Sequence, residues 1–335
     1  MRRNASQLAL ILAMFIWCDR PVQAWNSAGH RIISDITYDL LDDATRAKAV
    51  ELIKSSPRFQ FEFVDKMPAN VKSESDAIKD RWCFLQSSIW ADLVRGNAEW
   101  SIEKWHYINK PFFLTDLDEI ALKNAKDIQQ STILPDKIAS NVDPADLNAV
   151  QALRHCFERL ASPTTSKEKK STYLLWVMHV VGDLHQPLHS TSLYSRGRFQ
   201  KPGGDRGGNS IKTKQSGNLH ALWDGLLGGA GISLNEVRGR AQKLISDSKI
   251  KKLGEDSASG IDPAVWVDEG HVVCKEAVYC KQILDEVTNK EFNPKVALAT
   301  LVMTEEYMTN GGRIARERAI QGAYRLAAVL KRYLE

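Results

Sequence analysis

The sequence predicts a mainly α fold in a single domain, and three observations predict it. Apolar residues recur at three- and four-residue spacing along most of the chain, the pattern of helices with one buried face. Between Ser171 and His189 one stretch, Tyr173 to Leu184, is apolar around nearly its whole circumference, so it reads as a helix enclosed by others. The least helical part, Leu193 to Thr213, is glycine-rich and reads as an irregular segment or small hairpin. No internal repeat or low-complexity linker divides the chain.

In order, Ile32, Ile33, Ile36, Tyr38 and Leu40 give a first helix with His30 in its opening turn. A second covers Asp43 to Lys54 and stops before Pro57, because proline disfavours helix in the residue preceding it. Phe59 to Val71 reads as irregular, Glu74 to Trp82 and Phe84 to Val94 as a broken helical pair, and Trp105 to Pro111 as extended. A polar stretch over 116–144 precedes a helix from Leu147 to Leu160. Pro187 ends the central helix and turns the chain, bringing His189 back beside the helix end. A short helix at Asn218 to Asp224 precedes Gly228-Gly229. Helices are expected near 233–247, 262–285 and 295–308, and the last over Ile314 to Tyr333.

Arg2 and Arg3, the apolar run from Leu8 to Trp17, and Val22 and Ala24 at −3 and −1 predict a secretory signal peptide over residues 1–24. Cleavage after Ala24 would leave Trp25 first, in a secreted or periplasmic chain of residues 25–335. The run is too short to span a bilayer well and no later segment is a transmembrane candidate, so no stable membrane anchor is expected. A monomer is expected. The formal net charge of +4 falls to +2 when Arg2, Arg3, Arg20 and Asp19 leave. That excludes the strongly basic surface with which proteins grip long duplex DNA, so attraction for phosphate must be concentrated at one site. Cys83, Cys156, Cys274 and Cys280 are even in number in an exported chain and suggest two disulfides. Cys274 and Cys280 are near in sequence and are expected to pair, leaving Cys83 with Cys156.

His179 and Asp183 stand at i and i+4 on the apolar central helix, one above the other. A carboxylate and an imidazole in such surroundings need something to bind, and a zinc ion is the simplest candidate. A His–Asp hydrogen bond inside a core would explain one such pair. The spacing recurs, however, at His220 and Asp224, with His189 between, which favours metal. No H-E-x-x-H is present, so a zincin-type protease is disfavoured.

The segments W-N-S-A-G-H, W-A-D-L-V-R, W-H-Y-I-N, H-V-V-G-D-L-H-Q-P-L-H, G-G-N and N-L-H-A-L-W-D occur in that order. Together they resemble the zinc-dependent single-strand nucleases and 3'-nucleotidases of fungi, plants and bacteria, from Trp25 to the final helix. That family shares its helical fold with bacterial zinc-dependent phospholipases C. The resemblance implies three Zn2+ ions. Asp92, His106, His179 and Asp183 would hold one, and His189, His220 and Asp224 a second. His30, the other oxygen of Asp183, and the amine and carbonyl of Trp25 would hold the third. The amine exists only after signal cleavage. Paired metals about 3.5–4 Å apart can generate a hydroxide near neutral pH and polarise a phosphoryl oxygen. The implied reaction cleaves single-stranded DNA, RNA or 3'-nucleotides to 5'-phosphorylated products or a nucleoside plus phosphate.

Arg95, by the same resemblance, neutralises transition-state charge on the phosphate. Relatives often place an acidic partner for it where this chain has Asn109, which leaves Arg95 less firmly oriented. Tyr107 is the best candidate for base stacking, and Asn209 in the Gly203–Asn209 loop for a hydrogen bond to base or phosphate. Lys201, Arg206 and Lys212 lie nearby and read as guides for phosphate or, more simply, as a solvated charged face. His185 is expected to orient ligands, while His155 and His271 are structural. Two rival functions remain at this level: a zinc-dependent phospholipase C, and a non-catalytic secreted zinc-binding protein.

Overall fold

A computed structural model describes residues 25–125, 128 and 142–334. The predicted leader, most of the polar stretch over 116–144, and Cys18 lie outside them. The fold is mainly α, as expected, with two short strands among the described residues.

Helix α1 (Ser27–Leu40) starts where Asn26 accepts hydrogen bonds from the amides of Ala28 and Gly29, satisfying two of the unpaired donors of a helix start. Its Ile32, Ile33 and Ile36 are buried, one stripe facing the core. Helix α2 (Asp43–Lys54) follows, capped by Asp42. The segment expected to be irregular holds a π-turn at Gln60–Val64 and a single helical turn, α3 (Ala69–Lys72). The broken pair is a continuous α4 (Asp76–Ser87) and a short α5 (Trp90–Leu93), which carries Asp92. Then come strand β1 (Lys110–Phe113), α6 (Asp116–Leu122), and α7 (Ala149–Ala161) with an Asn148–Gln151 capping box.

Helix α8 (Lys167–Asp183) is the central one. Lys167 to Lys170 face solvent or its edge, and every residue from Leu174 to Asp183 is buried. Burying a large apolar side chain stabilises the fold by about 1.5–3 kcal/mol, so this enclosed run anchors everything packed on it. Trp176 stands with its ring 6.1 Å from Trp90, 5.0 Å from Trp105 and 5.3 Å from His106. One indole thus braces the two segments that carry Asp92 and His106.

Of the two readings of the glycine-rich segment, irregular or small hairpin, the irregular one is found. Strand β2 (Thr191–Tyr194) instead pairs in parallel with β1, Lys110 opposite Thr191 and Phe113 opposite Tyr194, and the glycine-rich remainder is loop. Two strands distant in sequence pair here because the turn at Pro187 runs β2 alongside the extended stretch after Trp105. Helix α9 (Leu219–Asp224) is capped by Asn218. Helices α10 (Leu234–Ser246) and α11 (Ser248–Ser257) follow, the second unforeseen because its face is only partly buried. The expected helix over 262–285 is broken into α12 (Pro263–Val273), a π-turn at Cys274–Val278, and α13 (Lys281–Asn289). Residues 295–304 are not helical; Leu301 bridges to Thr213, and Thr304 caps the long α14 (Glu305–Leu334). No helix among the described residues is long and apolar enough to cross a membrane.

All four cysteines among the described residues are free thiols, against the two expected disulfides. Cys83 and Cys156 are buried side chains of the larger core, on α4 and α7. Burial pushes the Cys83 thiol up to about 12 and raises Cys156 as well, so both are inert apolar fillers. Cys274 is buried on the π-turn beside Thr191, and Cys280 caps α13 beyond Tyr279. Closeness in sequence did not bring their sulfurs together.

Two apolar clusters organise the interior. The larger surrounds α8, α1 and α14; the smaller gathers Leu188, Leu193, Ile211, Leu219 and Trp223 with the 274–287 segment. The histidines and aspartates singled out by sequence fall on the elements where these clusters meet.

Candidate active site

Asp183, at the last turn of α8, is the hub, fully buried with both oxygens engaged differently. Oδ2 lies 3.0 Å from His106 Nδ1 and 3.3 Å from His179 Nε2, while Oδ1 lies 3.2 Å from His30 Nε2. His30 Nε2 and Asp183 Oδ1 are close, yet neither completes a hydrogen bond, and His106 Nε2 is also buried without a partner. His30 can come this near because residue 182 is glycine: a Cβ there would stand 2.7 Å from His30 Nδ1. Asp92 approaches from α5, its Oδ1 3.8 Å from His179 Nε2.

A second group lies alongside. His189 follows the Pro187 turn, and His220 and Asp224 share one face of α9. The two imidazole Nε2 atoms are 3.0 Å apart, and Asp224 Oδ2 is 3.6 Å from His220 Nε2. The backbone fixes which nitrogens face inward. His189 Nδ1 lies 2.7 Å from His106 O, His220 Nδ1 2.7 Å from Gly207 O, and His179 Nδ1 2.7 Å from Ser88 O. A carbonyl only accepts, so each Nδ1 carries a proton and each Nε2 is the atom turned toward the cluster. At His179 burial opposes a charge there, but Asp183 and Asp92 outweigh it and draw a cation to Nε2. Two neutral imidazoles with lone pairs facing at 3.0 Å repel unless a cation sits between them. Nδ1–H donated to a carbonyl with Nε2 turned to the ion is how metal-binding histidines are held.

The electrostatics agree. Burial would raise Asp183, but His179, His106 and His30 around it hold its carboxyl well below the usual range. Asp224 has no such surplus: burial raises it well above that range, nearby Asp92 and Asp183 raise it further, and a hydrogen bond from Gln186 opposes. Burial lowers His30, His106 and His189. The cluster thus brings imidazole nitrogens and mutually repelling carboxylates together, a donor set that fits divalent cations with nitrogen and oxygen ligands. Three groupings with ligand atoms within 4.8 Å of one another exist among the described residues: His30 with His179 and Asp183, Asp92 with His106 and His179, and His189 with His220 and Asp224.

Trp25 is buried, its Cβ packed where only a glycine, Gly29, leaves room. The next residue ties the two groups together, since the Asn26 amide donates to the Asp224 carbonyl at 3.2 Å.

A cleft of about 470 Å³ opens onto the metal-ligand candidates His106, His189 and His220. Arg95, Tyr107, Asn109 and Asn209, the substrate-side candidates from sequence, all line it. Arg95 is not loosely held. Its Nε donates to Asp92 Oδ1 at 2.7 Å and its Nη1 to Glu103 Oε2 at 3.1 Å, leaving Nη2 without a partner. Glu103 is thus the acidic partner thought missing; Asn109 instead accepts from the Ser192 hydroxyl at 2.9 Å. Tyr107 is partly exposed at the wall, and Asn209 donates to the Arg206 carbonyl at 2.7 Å.

His185 does not orient these ligands. Its Nδ1 donates to Val181 O, its Nε2 accepts from Arg325, and it belongs to a buried knot in which Arg318 and Arg325 share Glu269. His155 packs edge-on against Trp105 and Tyr173, and His271 reaches the Thr191 hydroxyl, both structural as expected. Sequence reasoning passed over Glu103, Gln186 and Asp205. Glu103 had a usable signal, an acid three residues before His106. Asp205, an acid inside a glycine run, is fully buried and bonds Leu193 N, Gly208 N and the Tyr279 hydroxyl, fixing the loop.

Comparison with known proteins agrees in kind. Arabidopsis thaliana Endonuclease 1 is 26% identical over 345 residues, covering 98% of this chain and 94% of that protein. Endonuclease 2 of the same plant is 23% identical over 97% of the chain and 96% of its own length. Nuclease S1 of Aspergillus oryzae is 28% identical over 185 residues, about half of each chain. The S1/P1 Nuclease family model matches residues 25–335, and the chain belongs to that family of metal-dependent nucleases, hydrolases of phosphoester bonds.

Proposed function

We propose that this chain is a secreted, zinc-dependent phosphodiesterase that hydrolyses single-stranded DNA and RNA to 5'-phosphorylated products and removes phosphate from 3'-nucleotides. The observation that carries the reading is the facing pair of His189 and His220 Nε2 atoms beside the Asp183 hub, opening into a cleft with an aromatic wall. Asp92, His106, His179 and Asp183 would hold one ion and His189, His220 and Asp224 another. His30, Asp183 and the amine and carbonyl of Trp25 would hold a third, once cleavage after Ala24 frees the amine. Bound there, zinc supplies Lewis acidity toward phosphoryl oxygens and lowers the pKa of water toward neutrality.

The chain's own residues do the rest. Asp183, offering one oxygen to each neighbouring group, sets their separation. Arg95, oriented by Asp92 and Glu103, turns its free Nη2 to a phosphate oxygen and offsets charge that builds on it. Tyr107 offers a face on which any unpaired base can stack, which a paired base in a duplex cannot use.

The test is to assay the chain beginning at Trp25 on single- and double-stranded DNA, RNA, 3'-AMP and phosphatidylcholine. Bound metal is counted before and after chelation, and again in a chain with one residue added ahead of Trp25. Hydrolysis of single strands and 3'-AMP, three zinc ions, and one fewer in the extended chain are expected. Cleavage of phosphatidylcholine alone would assign a phospholipase C, and zinc without phosphoester hydrolysis a binding protein.

A further inference from the structure

We propose that Arg206 is a specificity-determining residue, its guanidinium binding a phosphate of a single-stranded polynucleotide other than the one being cleaved. It would set affinity for oligonucleotides and leave 3'-mononucleotides alone; this rests on the substrates proposed above. Arg206 lines the same cleft as Arg95, Tyr107, His189 and His220, but its side chain is exposed whereas that of Arg95 is enclosed. Their charges are also in different states. Arg95 is met by two carboxylates, Asp92 and Glu103. Among the described residues the guanidinium of Arg206 meets none, so the cleft's uncompensated attraction for a polyanion comes from Arg206.

The backbone keeps that charge in place. Arg206 has φ +61, the one non-glycine residue with positive φ among those described. Side chains rarely adopt this conformation, and four nearby glycines take it without strain. The loop imposes it from both sides. The Arg206 amide donates to Gly203 O at 2.8 Å, Asn209 donates to Arg206 O, and the buried Asp205 carboxylate ties Gly208 to Leu193 and Tyr279. A long cationic side chain held in a conformation that glycine would adopt freely, at the mouth of a nuclease cleft, marks a site where the side chain is used.

The experiment uses the zinc-loaded chain from Trp25, a ten-nucleotide thymidylate and 3'-AMP, with R206Q, R206G and R206K. For R206Q and R206G, KM on the oligomer is expected to rise about tenfold with kcat within about twofold, and the dependence of log KM on log salt to weaken by about 0.7, one phosphate contact. Kinetics on 3'-AMP should not change. R206K should recover part of the affinity, and R206G should melt no lower than the parent because it removes the positive-φ strain. An equal loss on both substrates, or no loss on the oligomer, overturns the proposal. A parent chain inactive on both substrates instead overturns the function on which it rests.

Discussion

Gly182 and His30 are in contact across the interface of α8 and α1: a methyl group on Gly182 would lie 2.7 Å from Nδ1 and 2.9 Å from Cε1 of the imidazole. Both partners are rigid and buried, so neither can yield without moving a helix. Gly182→Ala should therefore displace His30 from Asp183 Oδ1 while the helix itself gains propensity. The expected result is loss of one bound metal ion and a fall in kcat/KM of about 100-fold, the scale of disturbed ligand support. Metal stoichiometry and far-ultraviolet circular dichroism separate this from unfolding; an unchanged metal count would refute it.

Glu103 should matter through Arg95. With Asp92 it fixes the guanidinium so that Nη2 alone is left for substrate. Arg95→Ala is expected to lower kcat by about 10²–10³-fold, the loss seen when one preorganised donor to developing charge is removed. Glu103→Gln, which keeps the shape but weakens the hold, should cost about tenfold in kcat with KM nearly unchanged. An effect of Glu103→Gln confined to KM would mean that the pair serves binding rather than the reacting phosphate.

The candidate ligand groups were legible because their chemistry is local: His179/Asp183 and His220/Asp224 are one helical turn apart, and period alone puts each pair on one face. The backbone carbonyls that set the imidazole tautomers were not. Ser88 O, His106 O and Gly207 O carry no side-chain signature, and each acts on a histidine distant in sequence. The β1–β2 pairing was missed for a related reason, since parallel partners 81 positions apart leave no turn signal between them. The disulfide expectation failed because parity of cysteines says nothing of geometry; Cys83 and Cys156 are core residues like the leucines around them.

Tyr107 gives a sharper test of single-strand preference than the metal ligands do, because it stands in the cleft wall without being part of the cluster. Stacking of a base on an aromatic ring is worth about 1–3 kcal/mol. Tyr107→Ala should raise KM on single-stranded DNA by about tenfold or more, with a much smaller change in kcat, and Tyr107→Phe should retain the parent's KM. Steady-state kinetics on a short oligomer reads both. If the phenylalanine variant is as impaired as the alanine variant, the hydroxyl rather than the ring face is what the substrate meets.

Asp205 gives the stability a dependence on pH that is separate from the metal ligands. Burial pushes its carboxyl from the ordinary 3.8 up to about 7, against the opposing hydrogen bonds from Leu193, Tyr279, Gly208 and Gly207. The unfolded chain releases this proton near pH 4, while the folded chain keeps it until about pH 7. Over that window the folded state binds more protons, so raising the pH favours unfolding, by an amount on the order of 4 kcal/mol in all. Asp205→Asn cannot titrate, and it leaves one loop amide without an acceptor, which costs about 1–3 kcal/mol. At saturating zinc the difference in melting temperature, parent minus variant, should fall steadily from pH 4.5 and turn negative by pH 7.5, because the pH-linked loss exceeds the cost of the missing acceptor. Thermal melts of both proteins across that range decide it, and a constant gap would mean that Asp205 stays ionised beneath the loop throughout.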